Sequence, residues 1–338
     1  MKKILLVKTT SLGDLIHAMP AVTDLHHAMG DVELHWLVEE SFRDIPYWHP
    51  AVTKVHTCAV RTWRKKPFAK ETRAAVAALK ADLKAEDFDL VIDAQGLVKS
   101  AWIVRWLAGE KHGYDKHSIR EPLASRVYDI GHSISREQTA IDRNRQLLAA
   151  VNGYSLSNLP LSFGLSIERP SNLDMPVDKP YLVFLHGTNW SSKIWPVAYW
   201  QALAEDMQQR GFQVYLPWGD DAERQRAHEI AGDSGAVVLD RLPLTSIAYL
   251  LQNAHTVVGS DTGLSHIAGA LSTHTLGLYG STNSKLTGLV GDNVKSLQSD
   301  FDCSPCMKRE CPLVRSDGII PCYERIGPER VRDYIVRS

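Results

Sequence analysis

The sequence runs to 338 residues, 44% of them hydrophobic, enough to bury a large core and near the length at which one core gives way to two. Its 38 Lys and Arg nearly cancel 39 Asp and Glu, which excludes a global field drawing the chain onto nucleic acid or an anionic membrane and leaves any acidic partner to local charge. The apolar run after Met1 turns polar at Lys8, too soon for a secretion signal or a spanning helix, so a cytoplasmic location is expected.

Short apolar or β-branched runs alternate with longer helical stretches, the pattern of βαβ units around a parallel sheet. Residues 3–8, 33–38 and 90–93 read as buried strands, and 14–29, 68–86 and 99–108 as helices between them. The alternation fails around 154–180, where Pro160, Pro170, Pro176 and Pro180 fall among Ser and Asn. This predicts a linker over 161–180 separating a domain at 1–160 from one at 181–338. Beyond it, 181–186, 213–217, 237–239, 256–260 and 275–278 read as strands, with helices that include 197–210 and 222–231. The expected fold is therefore α/β, with two facing, doubly wound, Rossmann-like domains. Ligands in such sheets bind outside the carboxyl ends of the strands, which puts the chemistry in the cleft between them.

Three segments carry chemistry at those strand ends. The first strand runs into Thr9-Thr10-Ser11-Leu12-Gly13-Asp14, which sets an acidic group near a helix start, although the residues alone favour Ser11 or Asp14 acting only as a helix cap. After His186, the loop 187–196 carries Lys193, whose compact charge suits a phosphate. The strand ending at Ser260 turns through Asp261, Thr262 and Gly263 into a helix of small residues, where free backbone N–H groups and the helix dipole would favour a diphosphate. Neither a GxGxxG fingerprint nor a Walker loop is present there.

With those segments in hand, the chain resembles the ADP-heptose:lipopolysaccharide heptosyltransferases of glycosyltransferase family nine, and the type I enzymes most closely. The likeness covers nearly the whole chain. It rests on the opening KTTSLGD, on Leu37-Val38-Glu39-Glu40, on the stretches 92–100 and 120–125, on Leu216-Pro217-Trp218-Gly219, and on SDTGLSH at 260–266. The resemblance implies the GT-B architecture and an inverting transfer of heptose from ADP-L-glycero-D-manno-heptose to the Kdo of Kdo-lipid A, with no cofactor for catalysis. It implies Asp14 as general base, Lys193 and Thr188 on the donor diphosphate, and Glu223 on the adenosine ribose. Asp261 would contact the donor sugar, with Thr262, Gly263 and His266 beside the diphosphate, and Arg61, Arg64 and Arg120 would take the acidic groups of the acceptor.

The chemistry agrees with that allocation. Displacement at an anomeric carbon needs a hydroxyl partly deprotonated as it attacks, and departing ADP needs cationic stabilisation. The basic and aromatic run from Arg61 to Phe68 matches a carboxylate and lipid phosphates, while Trp63 and Phe68 could lie against acyl chains, which predicts peripheral attachment at the inner face of the cytoplasmic membrane. Nucleic acid is excluded as a partner because the rest of the chain is not basic. Cys303, Cys306, Cys311 and Cys322 could give four thiolates to a structural Zn or Fe ion, with reduced, metal-free cysteines as the alternative. Three other functions remain open at this point. They are a type II or protein O-heptosyltransferase, a nucleotide-sugar epimerase of the same fold, and a non-catalytic sugar-nucleotide sensor.

Overall fold

The computed structural model describes residues 1–171, 173 and 179–337. The chain divides into two compact units, residues 1–166 and 167 onward. The division falls inside the expected 161–180 linker, of which 172 and 174–178, Pro176 among them, lie outside the described residues.

The first unit runs β1 (Lys2–Val7), α1 (Leu12–Ile16), α2 (Met19–Met29), β2 (Val32–Glu39), β3 (Val52–Cys58), α3 (Val60–Trp63), α4 (Lys70–Ala85), β4 (Leu90–Asp93), α5 (Val98–Val104), β5 (Glu110–Tyr114), β6 (Ile130–His132) and α6 (Ala140–Asn152). Its six strands are all parallel, in the order β3-β2-β1-β4-β5-β6. β1 is the central strand and its residues Ile4 to Val7 are wholly buried, as an apolar run with no alternation requires.

The second unit repeats the plan with β7 (Tyr181–Leu185), α7 (Val197–Gln209), β8 (Gln213–Leu216), α8 (Asp221–Ala231), β9 (Val237–Val238), α9 (Leu244–Gln252), β10 (Thr256–Ser260), α10 (Gly263–Ala270), β11 (Thr275–Tyr279), α11 (Ser284–Thr287), β12 (Val294–Gln298) and α12 (Pro328–Arg337). Its parallel order is β12-β11-β10-β7-β8-β9, so each sheet starts at its centre, winds to one edge and returns to the other side. A cluster around Trp195, Trp200 and Tyr323 forms the core between α7, α12 and the sheet, and Trp195 Nε1 donates to the Ile326 carbonyl at 2.8 Å.

Two expectations need correction. The single helix read over 14–29 is broken at His17 and Ala18, because Pro20, near the start of α2, has no N–H with which to continue the ladder. The strands β3, β5, β6 and β12 escaped the reading because outer strands carry mixed polar residues, such as Thr53, Lys54 and His56 in β3, and are held by pairing rather than by propensity.

Candidate active site

In the first unit the strand order reverses between β1 and β4, which opens a crevice beyond their carboxyl ends. The loops leaving both strands are tied together there. Gln95 Oε1 accepts hydrogen bonds from the Thr9 and Thr10 backbone N–H groups at 2.8 and 2.9 Å, and Lys99 Nζ donates to Thr10 Oγ1 at 2.7 Å. Below them Asp93 is fully buried, yet its carboxylate accepts from the N–H groups of Gln95 and Gly96 and from the Tyr128 hydroxyl. The left-handed φ of 65° at Gly96 is what lets the chain fold back onto that carboxylate.

Asp14 sits half-buried on α1, just after the loop that Gln95 fixes. Its Oδ2 accepts from the Ser11 N–H at 2.7 Å and the Ser11 hydroxyl at 2.9 Å. Burial would raise the Asp14 carboxyl, but the Lys8 ammonium and the two Ser11 bonds outweigh it and hold it below the ordinary carboxylate range. The capping and acidic readings of the sequence are thus both present in one side chain. Lys8, buried and donating to the Ala94 carbonyl at 2.9 Å, is itself lowered by burial, against the pull of Asp14 and Asp93 and with a push from Arg143 and Arg120.

The expected acceptor arginines surround this crevice from two sides. Arg120 is exposed and close enough to act on Lys8, while Arg61 and Arg64, exposed on the α3 turn, act on Lys99. The Arg61 N–H donates to buried Glu39 at 3.0 Å. Behind Arg64 opens a groove of about 960 Å³ with an apolar floor that includes Val60, Trp63, Val76 and Trp102. Arg64, Arg73, Lys80 and Lys99 rim it, against one acid, Glu121. Trp63 is buried in this floor rather than exposed, whereas Phe68 is 85% exposed beyond Pro67.

The second unit builds its site at the matching place, where the order reverses between β7 and β10. Lys193, on the loop after β7, places Nζ 2.9 Å from Asp261 Oδ2 and 4.5 Å over the Trp190 ring. His266 Nε2 lies 3.5 Å from Asp261 Oδ1, and the Thr287 hydroxyl donates to Oδ2 at 3.1 Å. Burial opposes the ionised Asp261 carboxyl, but His266 and Lys193 hold it far below the ordinary range. Asp261, Lys193 and His266 therefore form one charged cluster at the amino end of α10, where Thr262 and Gly263 start the helix. Thr188 is half-buried on the same loop as Lys193. Glu223 stands near the start of α8, its Oε2 accepting from the Gly219 N–H at 2.7 Å. It packs so closely on Gly187 that a Cβ there would lie 2.2 Å from Oε1.

The four C-terminal cysteines line one small cavity. Burial, with Cys311, Cys303 and Cys306 nearby, pushes the Cys322 thiol up to about 12. Their sulfurs are not drawn into one tight group; among the described residues, the potential metal ligands that cluster are His35, His56 and Glu86. The cysteine segment instead braces the Lys193 turn, with Ser192 N–H donating to the Arg309 carbonyl at 3.1 Å and the Arg309 guanidinium lying over Trp190.

Lys8, Gln95, Lys99, Thr287 and Ser192 were not anticipated as contributors. Gln95 and Lys99 stand inside the 92–100 stretch that carried the resemblance, so a signal existed. For Thr287 and Ser192 the sequence carries none, since each meets its partner across a long loop.

Comparison with known proteins identifies the family. The model of the family described as glycosyltransferase family 9 (heptosyltransferase) matches residues 76–316. Lipopolysaccharide heptosyltransferase 1 of Pseudomonas aeruginosa is 45% identical over 97% of this chain and 96% of its own, and the Escherichia coli K12 protein of that name is 42% identical over 86% and 92%. The solved structure of E. coli heptosyltransferase WaaC with ADP superimposes with a TM-score of 0.86 at 36% identity, covering 99% of both chains.

Proposed function

Since the chain belongs to glycosyltransferase family 9, the heptosyltransferases, we propose that the clusters at its two switch points divide one transfer reaction between them. The protein is a GT-B glycosyltransferase that moves heptose from ADP-heptose to Kdo in building the lipopolysaccharide inner core, and its similarity to heptosyltransferase 1 along almost the full chain carries that conclusion.

The first unit takes the acceptor. Asp14, ionised and fixed by Ser11, accepts the proton of the attacking Kdo hydroxyl as its oxygen bonds to the anomeric carbon and the bond to ADP breaks. A carboxyl held this low is a weak base, so positioning supplies much of the rate. Arg61, Arg64 and Arg120 bind the acceptor's carboxylate and phosphates.

The second unit takes the donor. Asp261 and Trp190 hold the Lys193 ammonium in place before ADP-heptose arrives, so that no reorganisation is needed when charge builds on the leaving diphosphate. Thr188, Thr262, Gly263 and His266 complete the diphosphate site, Asp261 reaches the sugar, and Glu223 takes the ribose. The 161–180 segment links the two domains. A mass-spectrometric assay with ADP-heptose and Kdo-lipid A tests the whole reading: a product one heptose heavier supports it, and an unchanged acceptor rejects it.

Among the described residues no helix is long and apolar enough to cross a membrane. The groove with its basic rim, flanked by exposed Phe68, Val98 and Trp102, supports peripheral docking on the membrane that carries Kdo-lipid A. Co-sedimentation with anionic vesicles should fall in a Phe68→Ser, Arg73→Ser double variant. The cysteines fit a metal in kind and share one cavity, which supports a structural Zn or Fe with no part in the chemistry. The expected analysis is about one ion fewer per chain in Cys306→Ser than in the wild type.

A further inference from the structure

Away from both switch points, the edge of the first sheet holds a buried imidazole pair. His35 on β2 and His56 on β3 are each 2% exposed, and His35 Nδ1 lies 3.0 Å from His56 Nε2. Each ring turns its other nitrogen to a carboxylate: His35 Nε2 is 2.9 Å from Glu33, and His56 Nδ1 is 2.6 Å from Asp82 on α4. Phe88 meets both rings edge-on, which fixes their planes.

Counting protons shows what is missing. The two outer contacts are to carboxylates, so each requires an N–H on the ring. A neutral imidazole carries only one, so the inner nitrogens face one another as two lone pairs 3.0 Å apart in a buried place. The gap therefore calls for an electrophile. Glu86, at the carboxyl end of α4, offers a third ligand: its Oε2 is 3.9 Å from His35 Nδ1, and one ligand atom from each of the three residues lies within 4.8 Å of the others.

We propose that His35, His56 and Glu86 bind a divalent transition-metal ion, with zinc as the fitting class. Ligands at about 2.0–2.1 Å in a tetrahedron stand about 3.3 Å apart, between the two separations found here. The outer carboxylates of Glu33 and Asp82 orient the rings as second partners of histidine ligands do. Lys3 and Lys54, which now pair with Glu86, are displaced from it by the ion. Asp82 and Lys54 are about half-exposed and form the way in. The ion pins the edge strands to the end of α4, the helix that supplies Arg73, Val76 and Lys80 to the acceptor groove. Its role is structural and lies outside the transfer chemistry.

The test uses the full chain stripped with chelator and titrated with zinc, read by calorimetry and by thermal unfolding, in a Cys306→Ser background so that thiol sites do not contribute. One zinc should bind per chain with a rise in Tm. Asp82→Asn, a change at a half-exposed side chain, should weaken binding about 10- to 100-fold. His56→Gln should abolish it. Zinc affinity unchanged in both variants overturns the proposal. So does a protein that takes up no zinc in this titration.

Discussion

Ser192 Oγ lies 2.6 Å from the carbonyl oxygen of Lys308, 116 residues further along the chain. Through this bond the cysteine-rich segment grips the turn that presents Lys193. Ser192 is 1% exposed, and Ser192→Ala removes its hydrogen bonds to the Lys308 carbonyl and to the buried Ser281 hydroxyl. A loss of about 1–3 kcal/mol of stability is expected. The KM for ADP-heptose should rise as the turn loosens, and urea denaturation with donor kinetics checks both.

Asp14→Asn removes the proposed base while keeping the shape of the side chain. We expect kcat to fall about 100- to 10,000-fold with ADP-heptose affinity preserved. A variant that retains near wild-type kcat would remove Asp14 from this role.

Arg120 acts on the field around Lys8 in the first unit, where the acceptor is proposed to bind. Arg120→Ala should raise the acceptor KM about 10- to 100-fold, the worth of one charge-assisted hydrogen bond, before the donor KM moves. Equal changes in both constants would show that the acceptor site has been misplaced.

Gly187→Ala tests the ribose assignment. The atoms nearest the added Cβ are the end of the Glu223 side chain, which can swing away, so Tm should barely change. Glu223 would lose its bond from Gly219, and the KM for ADP-heptose should rise with kcat little altered.

Two buried histidines contribute to the acid sensitivity of the fold. Burial lowers His49 and His186 from 6.5 to about 4, with nearby His26 and Arg226 respectively adding to the effect. Between those values the unfolded chain binds protons that the folded chain refuses, so the stability is complete above pH 6.5 and drains as the pH falls toward 4. Each histidine accounts for about 3 kcal/mol at most. His49 accepts from the Ala51 N–H on Nδ1, which leaves Nε2 to donate to the Thr23 hydroxyl at 2.9 Å. Urea midpoints from pH 7.5 to 4.5 should therefore drop steeply in the wild type and less steeply in His49→Gln.

The sequence alone determined the doubly wound α/β character, because buried parallel strands such as Ile4 to Val7 must be continuously apolar and that pattern is local. It also pointed to Asp14, Lys193 and Asp261, since each lies in the segment that follows an apolar strand. It did not reveal the break at Pro20 or the polar outer strands, where pairing with a neighbour outweighs propensity. Nor did it reveal which groups meet. Gln95 reaches Thr9 across 86 residues, Lys193 reaches Asp261 across 68, and His35 reaches His56 on the adjoining strand. Those encounters were decided by strand order and register in the folded sheets: the first two join loop ends that become neighbours where the winding reverses, the third joins two laterally paired strands, and no local pattern records either.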